Sequence, residues 1–76
     1  MNKNHFIAYI ENLRFTQKDP QRWGRSHPDK FSHWWIIIHA KNNTFTVCER
    51  DQEKCINIPF PENETDLQTF FNIIGI

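Results

Sequence analysis

The chain has 76 residues, of which 38% are hydrophobic and 14% aromatic, and its formal net charge at pH 7 is zero. A chain of this length forms one small domain, residues 1–76, and so many large apolar side chains exclude an intrinsically disordered protein. No basic leader precedes an apolar segment, and no apolar run approaches the roughly 20 residues that cross a bilayer. We therefore expect a cytoplasmic protein without a membrane partner.

The neutral total conceals an uneven distribution of charge. Five basic residues lie between positions 14 and 30, against two aspartates: Arg14, Lys18, Arg22, Arg25 and Lys30. Six acidic residues lie between positions 49 and 66, against two basic ones: Glu49, Asp51, Glu53, Glu62, Glu64 and Asp66. If the fold keeps these segments apart, the molecule has two regions of opposite potential that can steer a charged partner.

The first predicted element is an amphipathic helix over residues 4–16, with Asn2 or Asn4 as its N-cap. Its apolar side chains recur at spacings of three and four: Phe6, Ile7, Ile10 and Leu13. The pair Asp19-Pro20 then predicts a single helical turn. The remainder of residues 18–30 has no sustained period and is predicted to be a loop, which at this length is uncommon unless it is functional or packed by its own side chains.

Three strands are predicted next, over Phe31–Ala40, Thr44–Arg50 and Cys55–Phe60, because these runs are rich in aromatic and β-branched residues or alternate in polarity. Asn42-Asn43 favours a tight hairpin in which Ala40 pairs with Phe45. Pairing Phe45 with Ile58 then keeps the same sheet face apolar. Prolines 59 and 61 place the third strand at an edge.

The last element is a helix capped by Asn63 and stopped by Gly75, with Glu64 and Asp66 suited to the positive end of its dipole. Its apolar stripe consists of Leu67, Phe70, Phe71 and Ile74. The predicted fold is therefore a two-layer α+β domain in the order α-β-β-β-α, a three-stranded antiparallel meander packed by two helices.

One cluster of side chains contains possible metal ligands and a possible nucleophile with its base. In the predicted register Cys48 lies opposite Cys55, with His39 as a diagonal neighbour of Cys48, so three possible ligands converge. The sequence spacings are not those of structural zinc sites, and no glycine loop, oxyanion site or pocket is indicated. We expect no metal, no cofactor and no enzymatic activity, and in a reducing cytoplasm we expect free thiols.

The second face of the predicted sheet is the main candidate for binding. If both helices cover the first face, this face presents Trp35 and Ile37, with Arg50 opposite Trp35. Together with the loop residues, the predicted partner contacts are Trp35, Ile37, Arg50, Arg22, Trp23 and Arg25. The expected partner is a larger protein or ribonucleoprotein, or a second copy of the chain. Alternatively, the 18–30 loop with Trp23 closes over this face.

A nucleic-acid partner is the second functional prediction. The 18–30 segment combines phosphate-seeking charge at Lys18, Arg22, Arg25 and Lys30 with the ring of Trp23, a combination typical of single-strand binding. The net excess of only three positive charges between positions 14 and 30 and the neutral whole chain count against it.

At the level of class alone, a short, neutral, motif-free chain rich in aromatic residues resembles the small inhibitors of phages and mobile elements, such as anti-CRISPR or immunity proteins. No single residue carries this resemblance. It implies a non-catalytic protein that binds and inhibits a larger partner.

Overall fold

The computed structural model describes residues 1–26, 33–49 and 55–76. Its elements follow in the order α1 (Lys3–Asn12), β1 (Thr16–Asp19), β2 (Arg22–Ser26), β3 (His33–His39), β4 (Thr44–Glu49), β5 (Cys55–Pro59) and α2 (Glu64–Ile74). The strands form one antiparallel meander in sequence order. The predicted α+β class with two helices is confirmed, but the prediction of three strands is wrong, because two further strands precede them.

Both helices begin at the predicted caps. The Asn2 side chain accepts a hydrogen bond from the backbone N–H of His5 at 2.8 Å, and Asn63 accepts one from Asp66 at 2.9 Å. The second helix ends at Gly75 in the left-handed region, with φ of 93°. The first ends at Asn12, short of the predicted position 16, since the chain turns left-handed at Arg14 with φ of 73°.

The core lies between the two helices and one face of the sheet, around the fully buried ring of Phe45. The Phe6 ring of α1 lies 4.5 Å from it, centroid to centroid, and the Phe71 ring of α2 meets it edge-on at 6.4 Å. The other buried side chains of this cluster are Ile10, Phe15, Trp23, Ile36, Ile38, Val47 and Leu67. Because both helices contribute to a single cluster, they cover the same face of the sheet.

The segment predicted as a helical turn and loop is instead a β-hairpin. Pro20 and Gln21 join β1 to β2, and the backbone N–H of Gln21 donates to Oδ1 of Asp19 at 2.9 Å. All four residues of β1 are exposed, so the strand carries no alternation of polar and apolar residues. The periodicity on which strand prediction depends is absent here.

The pairing of β4 with β5 follows the predicted register, with Phe45 opposite Ile58, and β5 is an edge strand as predicted. The pairing of β3 with β4 is shifted by two residues, so that Ile38 and not Ala40 lies opposite Phe45. A four-residue turn over 40–43, with Asn43 at φ of 53°, replaces the tighter turn. A shift of two preserves the face of every side chain, and the predicted apolar face is therefore correct.

Within the described parts of the chain, neither helix has the length and apolar character needed to cross a membrane.

Truncation of Phe45 tests its place at the centre of the core. We expect Phe45→Ala to lower the free energy of unfolding by about 3–5 kcal/mol, since it removes a ring that contacts both helices. Urea unfolding followed by circular dichroism measures the change. Ile73→Ala is the control, because that side chain is 77% exposed, and it should change stability by no more than about 0.5 kcal/mol. Equal losses in the two variants would contradict the assignment.

Candidate binding surface

The face of the sheet turned away from the helices is called here the open face. Alternation along the paired strands places side chains of all five strands on it, among them Thr16, Lys18, Arg22, Trp35, Ile37, His39, Thr46, Cys48 and Asn57. Among the described residues the helices form the only other layer, and they pack on the opposite face. The predicted contacts Trp35, Ile37 and Arg22 thus share one surface.

Trp35 occupies a preformed position on the open face. It pairs with Gly24 of β2, and a Cβ placed on Gly24 would lie 2.9 Å from Cζ3 of the indole. The guanidinium of Arg22 lies 5.7 Å from the ring centroid, within range of a cation–π contact worth about 0.5–1 kcal/mol at an exposed site. The absence of a side chain at Gly24 therefore lets the ring lie close against the β2 backbone.

Arg22 itself is held at the hairpin. Its side chain is 51% exposed, and its Nε lies 3.4 Å from Oδ2 of Asp19, three residues earlier. A pair this exposed contributes little to stability. The guanidinium therefore remains accessible beside Trp35.

The predicted pairing of Trp35 with Arg50 is wrong. The two-residue shift of β3 against β4 places Cys48 opposite Trp35, and Arg50 lies outside the described residues. Lys30, predicted for the nucleic-acid surface, also lies outside them.

The prediction that Trp23 lies in an exposed loop is wrong as well. Its side chain is 2% exposed and belongs to the core, on the helix side of the sheet. The indole Nε1 donates a hydrogen bond to a carboxylate oxygen of Glu11 in α1 at 3.2 Å. Trp23 neither offers a surface contact nor closes over the open face. Its strand, β2, pairs with the edge of β3 and directs the indole to the helix side.

Arg25 alternates to the helix side of the sheet, at the end of α1. Its Nη1 donates to the carbonyl oxygen of Leu13 at 3.0 Å, and its guanidinium lies 5.1 Å from the centroid of the Phe15 ring. Partial burial, followed by the neighbouring charge of Arg14, lowers the pKa of Arg25 from its usual value. Arg25 is therefore fixed in place beside a second cation.

A pocket of about 250 Å³ opens beside these arginines and is called here the corner pocket. It is lined by Arg14, Thr16, Lys18, Gly24, Arg25, Trp34 and Trp35. It joins two residues of the predicted nucleic-acid surface, Lys18 and Arg25, to Trp35 of the predicted protein surface. Arg14 and Trp34 had not been predicted as site residues. Their only sequence signals were membership of the basic segment and of the aromatic run.

The cysteines lie on the open face next to Trp35, on β4 and β5. Cys48 lies opposite Cys55, as predicted, but the two are joined in a disulfide, so the expectation of free thiols is wrong. His39 pairs with Thr44, and its Nε2 is hydrogen-bonded to Oγ1 of Thr46 at 2.8 Å. The predicted convergence of His39 on the cysteines is therefore not found, and within the described residues no group of three metal-ligating side chains is present.

Comparison with models of protein families, with curated proteins and with solved structures finds no match for this chain.

Gly24→Ala tests the seating of Trp35. We expect the added Cβ to displace the indole, which changes the near-ultraviolet circular dichroism and the tryptophan emission while the far-ultraviolet spectrum is kept. Gly75→Ala is the matched control. It introduces strain at φ of 93° with no atom within 4 Å, so it should lower stability without changing the tryptophan signals. Unchanged signals in Gly24→Ala would contradict the close approach.

The disulfide makes a separate prediction. Its cysteines are seven positions apart, and closing so short a loop in the unfolded chain stabilises the fold by about 2 kcal/mol. The double variant Cys48→Ser, Cys55→Ser should lose this amount in urea unfolding. Dithiothreitol should cause a similar loss in the unmodified chain and none in the variant. If dithiothreitol leaves the unfolding midpoint of the unmodified chain unchanged, the presence of the disulfide is contradicted.

Proposed function

We propose that the chain is a non-catalytic binding protein that attaches to a larger protein or ribonucleoprotein through the open face and thereby modulates or inhibits it. The observation that carries the proposal is the position of Trp35, which lies against Gly24 and beside Arg22 on a sheet face that neither helix covers. Tryptophan and arginine are the residues most often found as energetic centres of protein interfaces.

The surroundings of Trp35 support an interface. Ile37 lies two positions further along the same strand and extends the apolar area. Beyond it a polar row follows, in which Thr46 is hydrogen-bonded to His39 at 2.8 Å and accepts a hydrogen bond from Nδ2 of Asn57 at 3.0 Å. An apolar centre bordered by polar groups is the usual anatomy of a protein interface. A polar row held by its own hydrogen bonds needs little rearrangement on binding.

The arrangement of the cysteines and His39 supports the proposal that the chain is not an enzyme. The thiols that would serve as nucleophiles are joined in a disulfide. His39 lies two strand repeats along β3 from Trp35, the residue paired with Cys48, so its ring is too distant to serve as a base for the Cys48 sulfur. Inhibition in this proposal results from occupying a surface that the partner requires.

A nucleic-acid ligand is the second candidate function, and one observation favours it. Arg14, Lys18 and Arg25 line a single pocket together with the indoles of Trp34 and Trp35. Cations beside aromatic rings form the usual arrangement for binding unpaired nucleotides.

Trp35→Ala tests the proposed function. In affinity capture from cells that contain the natural partner, followed by mass spectrometry, we expect the partner to be retained by the unmodified chain and lost by Trp35→Ala. The loss should exceed tenfold, since truncation of an interface tryptophan costs about 2 kcal/mol or more. The far-ultraviolet circular dichroism should be unchanged, because the half-buried ring lies outside the core cluster of buried residues.

Ile73→Ala is the matched control, as it removes an exposed apolar side chain from α2, far from the open face. It should capture the partner as the unmodified chain does. A partner retained by Trp35→Ala would overturn the site. Capture that disappears after nuclease treatment would favour the second candidate, and a Trp35-dependent dimer as the only complex would replace the larger partner with a second copy.

A further inference from the structure

The corner pocket lies where one end of β2 extends past β1 and has a paired strand only on its β3 side. Pairing of β1 with β2 begins at Thr16 opposite Gly24, so Arg25 and Ser26 extend beyond the start of β1. At this corner, side chains from both sheet faces border one space. Arg25 and Trp34 belong to the helix side, whereas Thr16, Lys18 and Trp35 belong to the open face. The pocket is therefore an extension of the open face at its basic end.

Arg14 occupies a backbone conformation that its residue type disfavours. It directly follows the C-cap Leu13 of α1 at φ of 73°, a position that glycine fills in many helices. A left-handed non-glycine residue costs roughly 1–2 kcal/mol, and such strain is concentrated at functional sites. The side chain of Arg14 lines the corner pocket. The pocket thus contains a cation at a position where the backbone conformation alone favours glycine.

Two arginines lie close enough at this corner for the charge of Arg14 to act on Arg25. Arg25 cannot easily withdraw, since it is hydrogen-bonded to the Leu13 carbonyl and packed over Phe15. Lys18 adds a third positive charge along the same wall. An anion in the pocket would offset the mutual repulsion of these groups, and a phosphate would meet the Arg25 guanidinium already held in position.

The aromatic lining distinguishes among anions. Trp34 and Trp35 border the same space as the cations. The carboxylate side chains of an acidic peptide would neutralise the charges but carry no flat ring to place against an indole. A duplex keeps its bases stacked inside, whereas an unpaired base exposes a face that an aromatic side chain can stack on, worth about 1–3 kcal/mol per base.

We propose that the corner pocket binds one nucleotide unit of a single-stranded nucleic acid, with Arg14, Lys18 and Arg25 contacting phosphate and the indole of Trp35 stacking on the base. The inference rests on the second candidate function, a nucleic-acid ligand, and it names the unit of that ligand that occupies the basic end of the open face. The volume of about 250 Å³ is below that of sites for whole small ligands, roughly 300–1,000 Å³, and suits one unit of a polymer.

Two carboxylates mark the edges of this basic area. Asp19 lies beside Arg22 at the hairpin, and Glu49 is the exposed cross-strand partner of Trp34. Neither lines the pocket. Because both repel phosphate, they confine the phosphate contacts to the corner, and the bound strand leaves the pocket over Trp35.

The experiment titrates the full chain with a fluorescein-labelled single-stranded oligonucleotide of about ten nucleotides, as DNA and as RNA, and follows anisotropy. At about 50 mM salt we expect binding with quenching of tryptophan emission, and an affinity that falls steeply towards about 200 mM salt. A duplex of the same sequence and polyglutamate should each bind at least about tenfold more weakly than the single strand.

Arg14→Gly is the decisive variant. Glycine suits the left-handed position, so the free energy of unfolding should be unchanged or higher, while oligonucleotide affinity falls about tenfold and the slope of log affinity against log salt decreases by about one. Asn43→Gly is the matched control. It replaces the other non-glycine residue with positive φ in the described chain, far from the pocket, and should leave affinity unchanged.

No binding of either oligonucleotide at low salt, binding by Arg14→Gly equal to that of the unmodified chain, or equal binding of the duplex or polyglutamate would overturn the inference. These outcomes leave the proposed function intact if a nuclease-resistant protein partner still depends on Trp35. Conversely, oligonucleotide binding without any Trp35-dependent protein partner supports the inference and overturns the protein-binding proposal.

Discussion

The structure depends on one constraint, which is that the buried apolar side chains of the described chain form a single cluster against one face of the sheet. Phe45 sits at the centre of that single cluster, within 4.5 Å of the Phe6 ring and edge-on to Phe71. Because each helix must bury its apolar stripe and one apolar face exists, both helices pack on the same side. Among the described residues, no element packs on the other face.

The open face is organised by its close approaches and by its charges. Gly24 allows Trp35 to lie against β2, Arg22 lies beside the ring, and the hairpin sets both in position. At the adjoining corner, Arg14 in its left-handed conformation lies near Arg25, which is hydrogen-bonded to the Leu13 carbonyl, so that like charges are brought together. A surface with preformed aromatic and cationic groups is suited to binding, since little freedom remains to be lost when a ligand arrives.

Local signals in the sequence predicted the parts of the fold that short-range physics controls. Asn2, Asn63 and Gly75 are caps because their side chains or backbone freedom satisfy helix ends within a few residues. The spacing of apolar residues identified both helix stripes, and alternation identified which face of β3 and β4 is buried. These features need only the helical and strand periods, so they could be read before any tertiary contact was known.

Tertiary pairing alone decided the rest, including most of the candidate site. β1 has no apolar alternation and becomes a strand only because β2 pairs with it. The pairing of β2 with β3 sets Trp23, a predicted surface residue, opposite Ile36 in the core. The two-residue shift of β3 against β4 keeps every side chain on its predicted face. It places Cys48 opposite Trp35, where Arg50 was predicted. The corner pocket joins Arg14 to Trp35 across three elements, and no local period encodes a contact between such distant positions.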